Sequence, residues 1–129
     1  VQDFGKTVVE VLLEPTRIYW EDIKKIRGSV RIKAMAHITG GGIRENLIRV
    51  LKDGRRAIIE KSSIPKNPIF DWVKSLGNIA EEEMYRTFNM GVGFMLVADK
   101  EEAGKVLDLL EDVFLCGRIE RGDRDVILV

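Results

Sequence analysis

The period of the apolar positions changes along the chain, and the changes mark the elements. Val30, Ile32, Ala34, Ala36 and Ile38 alternate with Arg31, Lys33, Met35, His37 and Thr39. A period of two belongs to a half-buried strand, because successive side chains point to opposite faces. The pattern predicts a strand with His37 and Thr39 on its polar face. After three glycines, Ile43, Leu47, Val50 and Leu51 fall at helical spacing until Asp53-Gly54, which makes Gly40 to Gly42 a strand-to-helix turn. Upstream, Phe4, Val8, Val11 and Leu12 line one face of a first helix that Asp3 can cap and Pro15 closes. TRIYW reads as a short extended piece and EDIKKIRG as a helical turn or two.

Further on, RAIIEK predicts a strand and SSIPKNP a loop. Asn67-Pro68 supplies an N-cap and a first helical residue whose missing N–H is not needed there, ahead of a face bearing Ile69, Trp72, Val73 and Leu76. Gly77 is placed to end that helix. Asn78 with Glu81, and Asp99 with Glu102, have the spacing of capping boxes. They predict helices through EEEMYRTF, with Ala80, Met84, Thr87 and Phe88 inward, and through Ala103, Val106, Leu107 and Leu110. Between them NMGVGFMLVA reads as a buried strand, and FLCGRIE and DVILV as a terminal hairpin around Arg121-Gly122-Asp123. Helices interleaved with strands predict one α/β (α+β) domain, a layered sandwich with a mixed sheet packed by helices; the hairpin is what makes the sheet mixed.

Composition narrows the partners. The 129 residues are 45% hydrophobic, enough for one core. Twenty-one basic and 21 acidic residues cancel, so no global field draws the chain to nucleic acid or an anionic membrane, and neither is an expected partner. No run approaches the ~20 apolar residues of a membrane span, and the first residues lack a signal-peptide pattern. The single cysteine, Cys116, cannot form an internal disulfide and fits the cytoplasm. One histidine and one cysteine, with no pair at ligand spacing, predict no metal site.

Two stretches could carry chemistry. In AHITGGGIREN the glycines open a helix N-terminus, where N–H groups lack intrahelical partners and carry partial positive charge. Phosphate can approach such a backbone closely. Arg44 points the same way, since a cation in a first turn is unfavourable unless an anion lies nearby. The stretch lacks the GKT or GKS ending of a P-loop and does not match GxGxxG. An anion site and a tight turn needing positive φ both remain open. His37, on the face of Arg31 and Lys33, is a candidate ligand contact or proton carrier, or an ordinary surface histidine. In EEEMYRTFNMGVGF, Gly91 and Gly93 two apart in a strand would leave one face bare for a ligand or for close helix packing, with Arg86 and Asn89 at the junction. Ser62 and Ser63 have no histidine and carboxylate arrangement that would make either a nucleophile.

HITGGGIREN and EEEMYRTFNMGVG, with LLEPTRIY before them and GRIERG after, resemble the C-terminal domain of the aminoimidazole ribonucleotide synthetases, the phosphoribosylformylglycinamidine cyclo-ligases of purine biosynthesis. The resemblance runs from about Thr7 to Gly122. It implies a ring closure in which ATP phosphorylates the formyl oxygen of formylglycinamidine ribonucleotide, an amidine nitrogen attacks, and phosphate leaves as the imidazole forms. It also implies that ATP and magnesium are held mainly by an N-terminal domain not present here, that the full-length enzyme is a homodimer, and that this chain is the C-terminal part of a two-domain protein, inactive alone. His37, Thr39, Gly40, Gly41, Gly42 and Asn46 match the family's glycine-loop motif; Arg86, Thr87, Asn89, Met90 and Gly91 match its second motif. The implied roles are catalysis for His37 and substrate or phosphate binding for Thr39, Gly40, Gly41, Gly42, Asn46, Arg86, Asn89 and Gly91. The family's Asp- and Gly-rich metal and ATP motifs are absent, and Ile64 stands where the family often has an aromatic residue. The alternatives are the same domain of a formylglycinamidine synthetase-like enzyme, or a non-catalytic phosphate-ligand binding module.

Overall fold

The structure, a computed structural model, describes residues 5–129. Asp3 and Phe4, the expected cap and first apolar position of the opening helix, lie outside the described residues. The helices are α1 (Val8–Leu12), α2 (Trp20–Ile26), α3 (Gly42–Leu47), α4 (Pro68–Gly77), α5 (Glu81–Thr87) and α6 (Lys100–Leu109). The strands are β1 (Ile32–His37), β2 (Arg55–Ile59), β3 (Phe94–Ala98), β4 (Gly117–Arg121) and β5 (Asp125–Leu128).

Thr7 caps α1. Its hydroxyl accepts from the Glu10 N–H at 3.2 Å, and the Glu10 carboxylate accepts from the Thr7 N–H at 2.8 Å. TRIYW forms no strand; α2 begins at its last residue. β1 buries its residues as the alternation requires, with Val30, Ala36 and Ile38 buried and Arg31, Lys33, Met35, His37 and Thr39 exposed. It pairs antiparallel with β3, and a register irregularity between Ile32 and Ala34 falls at Lys33.

The second sheet has the order β4-β2-β5. The expected terminal hairpin is corrected here: β2 lies between the last two strands, antiparallel to β4 and parallel to β5. Residues 122–124 carry the chain past the start of β2, where the Gly122 N–H donates to Gly54 O at 3.3 Å. The sheet is mixed because β2 pairs in both senses. FLC also falls outside β4.

α3 and the 3₁₀ turn after it (Ile48–Val50) lie between the two sheets. Ile43, Leu47 and Leu51 pack with Ala36, Ile38 and Met95 of the β1/β3 side and with Ala57, Ile59 and Val126 of the mixed sheet. Each fully buried aliphatic side chain contributes roughly 1.5–3 kcal/mol. A smaller cluster of Ile26, Val30 and Val106 joins α2 to α6.

Two expected caps differ. Asn78 ends α4 in the left-handed conformation (φ 47°), where asparagine is tolerated, and α5 instead starts after Ala80 with no side-chain cap. Asp99 sits at the N-cap of α6 with no capping bond, because its carboxylate is taken by Lys33 and Arg31 of the β1 segment. Glu102 accepts from the Arg31 N–H at 2.7 Å. These carboxylates tie α6 to β1.

Candidate functional site

The first glycine segment is held from inside. Asn46, 5% exposed, shares its amide N–H donors among Thr39 O (3.3 Å), Gly40 O (3.2 Å) and Gly42 O (2.8 Å). The Gly42 N–H donates to Thr39 O at 3.1 Å. Gly41 and Gly42 have φ of 92° and 61°, a region closed to most side chains. A Cβ on Gly42 would run into Tyr85 O and lie 2.9 Å from Phe88 O, so this glycine lets the start of α3 pack against the end of α5. Gly40 has open space around it.

The second segment is a turn ahead of β3 rather than part of the strand, because Met90 (φ 52°) and Gly91 (φ 90°) break the extended backbone. Asn89 shapes it by accepting from the Gly91 N–H at 3.0 Å, while Val92 N–H donates to Asn89 O at 2.9 Å. The two segments meet where the Ile38 N–H donates to Gly93 O at 2.9 Å.

Between them opens a cleft of about 340 Å³, lined by Thr16, His37, Ile38, Thr39, Gly40, Thr87, Phe88, Asn89 and Gly93. Of the residues singled out from the sequence, His37, Thr39, Gly40, Thr87, Asn89 and Gly93 come together on it. Asn46, Gly41 and Gly42 shape the loop behind. Gly91 faces elsewhere: a side chain there would meet Asn67 and Phe70 at the start of α4. Arg86 pairs with Glu83 at 3.1 Å. Thr16 was not distinguished within LLEPTRIY; its place depends on how residues 13–19 fold back, which no local pattern encodes.

Among the described residues, none that lines the cleft is an Asp, Glu, Lys or Arg. The cations that made the strand face look anionophilic have partners within the chain. Arg31 and Lys33 share Asp99, and Arg44 reaches Asp125 at 3.1 Å, the anion its first-turn position calls for. The Lys33 hydrogen bond holds the Asp99 carboxyl below the usual carboxylate range, with Arg31 adding to it. Asp125 is held low by the Val126 N–H first and then by Arg44. Burial pushes the Cys116 thiol up, which leaves it a poor nucleophile. His37 projects its exposed imidazole beside Tyr19 and Phe94, with ring centroids 6.0 and 6.1 Å away. What the cleft offers is therefore hydroxyls, an amide, backbone N–H groups and one imidazole.

The family model "AIR synthase related protein, C-terminal domain" matches residues 1–129. The chain belongs to this AIR synthase C-terminal family. Its fold, mixed α/β with two sheets and six helices among the described residues, agrees with that membership. It is similar to the phosphoribosylformylglycinamidine cyclo-ligase of Caldanaerobacter subterraneus subsp. tengcongensis, 49% identical over 132 residues that cover 99% of this chain and 39% of that protein. The cyclo-ligase of Myxococcus xanthus is 44% identical over 132 residues, covering 99% of this chain and 38% of that protein. That of Brevibacillus brevis is 44% identical over 131 residues, with coverage of 98% and 38%. This AIR synthase C-terminal chain thus spans about two fifths of the length of these relatives. None of its described helices is long and apolar enough to cross a membrane.

Proposed function

We propose that this chain is the C-terminal part of a longer two-domain, cytoplasmic cyclo-ligase, and that it forms the substrate-side wall of the cleft in which formylglycinamidine ribonucleotide closes to aminoimidazole ribonucleotide. The supporting observation is convergence: residues 37–40 and residues 87–89 with Gly93, far apart in sequence, line one open cleft in a chain whose relatives carry the cyclo-ligase name.

Ring closure requires an amidine nitrogen to be held against the formyl carbon in a near-attack geometry, and orientation can supply much of the acceleration. The Thr39 hydroxyl can hydrogen-bond a planar amide or amidine in either sense, and the Thr87 hydroxyl, which donates its proton to Glu83 at 3.1 Å, can accept from one. Asn89 uses its oxygen in the turn, and among the described residues its amide nitrogen has no partner, so it is free to donate to substrate. His37 is assigned the proton that the attacking nitrogen gives up. ATP supplies the phosphoryl group that turns the formyl oxygen into a leaving group. The lining does not fit magnesium, which binds through carboxylates and phosphates, so ATP and magnesium belong to the rest of the enzyme, a homodimer in this reading.

The test is Gly40→Leu in the full-length enzyme. A Cβ on Gly40 meets nothing within 4 Å and the residue lines the cleft, so a larger side chain there is expected to project into the cleft with the fold retained. ATP-dependent formation of aminoimidazole ribonucleotide is expected to fall about a hundredfold, as misplacement of reacting groups does, with an unchanged melting temperature. Wild-type turnover would remove this wall from the reaction.

A further inference from the structure

Tyr19 does not line the cleft, yet it touches two residues that do, His37 and Gly93. Its backbone is fixed as the N-cap position of α2, where its carbonyl accepts from the Ile23 N–H at 3.0 Å. Its ring stacks on Phe94, centroids 5.1 Å apart at 29°, and the Arg17 guanidinium lies 5.7 Å from its centroid, anchored by a 2.9 Å hydrogen bond to Asp22. The phenol hydroxyl fills the space that a side chain on residue 93 would need. A Cβ there would fall inside that hydroxyl and lie 2.8 Å from Cζ. Gly93 is thus a socket and Tyr19 its plug.

The seated ring meets the His37 imidazole edge-on, at 6.0 Å and 65°, while Phe94 flanks the same imidazole at 6.1 Å and 36°. An exposed histidine on a strand would otherwise visit several rotamers. We propose that Tyr19 is a positioning residue: seated in the Gly93 socket, it holds the His37 imidazole in one orientation at the mouth of the cleft. The functional value of that orientation rests on the role given to His37 above; the orientation itself is measurable without substrate.

The chain has one histidine, so the carbon-bound imidazole protons give one unambiguous set of NMR signals. Tyr19→Leu should move those signals, Gly93→Ala should move them the same way by evicting the phenol, and Tyr19→Phe, which keeps the ring, should leave them near the wild-type position. Gly93→Ala reads the contact independently if Tyr19→Leu fails to fold. The proposal is overturned if folded Gly93→Ala or Tyr19→Leu keeps the wild-type His37 signals, or if Tyr19→Phe moves them as far as Tyr19→Leu does. In the full-length enzyme, Tyr19→Leu should lower kcat about ten- to a hundredfold at little cost in KM, the scale on which misplaced groups act, with Tyr19→Phe restoring it. Shifted His37 signals with unchanged kcat would refute the catalytic role of His37 and leave the positioning intact.

Discussion

Two asparagines, each beside a glycine-rich segment, divide the work differently. Asn46 is buried and spends its donors on three carbonyls of the first segment. Asn89 uses only its oxygen to close the second segment, and it lines the cleft. The first segment is therefore a built object, rigid because a side chain fastens it from the core. The second is a turn whose organising residue also faces the cleft. Being polar and next to glycines does not make a residue a binding residue; where its hydrogen bonds already go does.

The change expected to hurt most is Gly42→Ala. It puts a side chain at φ 61° and into Tyr85 O, 2.9 Å from Phe88 O. Left-handed strain of about 1–2 kcal/mol and backbone displacement of about 1–3 kcal/mol should together unfold a marginal domain or lower its denaturant midpoint steeply. Asn46→Ala comes next, costing about 1–3 kcal/mol because the buried Gly42 carbonyl loses its side-chain donor and the loop loses its fastening. Asn89→Ala should cost below about 1 kcal/mol, the worth of one ordinary hydrogen bond, while weakening substrate binding in the full-length enzyme. If Asn46→Ala and Asn89→Ala proved equally costly to stability, the contrast between the segments would collapse.

How much of this was legible depended on distance along the chain. The burial of every position from Val30 to Thr39 followed from alternation, because a strand between core and solvent must repeat every two residues. The glycine turn was equally plain. The inward commitment of Asn46 was not, since the sequence shows donors without showing which way they point. Arg44 signalled an anion correctly, but that anion is Asp125, 81 positions away. The capping spacings at Asn78 and Asp99 were local signals overridden by tertiary demands: a left-handed helix end in one case, two cations on β1 in the other. The insertion of β2 between β4 and β5 is a non-local pairing that hairpin-like spacing disguised.

Acid should act on the link between α6 and β1. The carboxyls of Asp99 and Glu102 are held below their ordinary range, Asp99 chiefly by Lys33 and Glu102 chiefly by Lys105 with the Arg31 N–H. A group whose folded pKa is depressed stabilises the fold above its unfolded value, near pH 4, and loses that contribution as pH falls through the folded value. The melting temperature should thus drop below about pH 4. Asp99→Asn should flatten that drop and barely change the melting temperature at pH 7, where exposed ion pairs contribute little. An acid profile unchanged by Asp99→Asn would show that the link from α6 to β1 does not depend on this charge.

The smallest effect on stability should come from Gly40→Ala, and its sign is the informative part. Gly40 is one residue from Gly41, but its φ lies outside the left-handed region and a Cβ would meet nothing within 4 Å. Where alanine fits the native backbone, losing glycine restricts the unfolded chain and stabilises by about 0.4–1 kcal/mol. Thermal melts should therefore show a slight gain for Gly40→Ala against a severe loss for Gly42→Ala. Gly40 projects its freedom into the cleft, whereas Gly42 spends its own on packing against α5. A loss at Gly40 comparable to that at Gly42 would mean that the whole segment is fixed by backbone conformation, and that none of its glycines is reserved for a ligand.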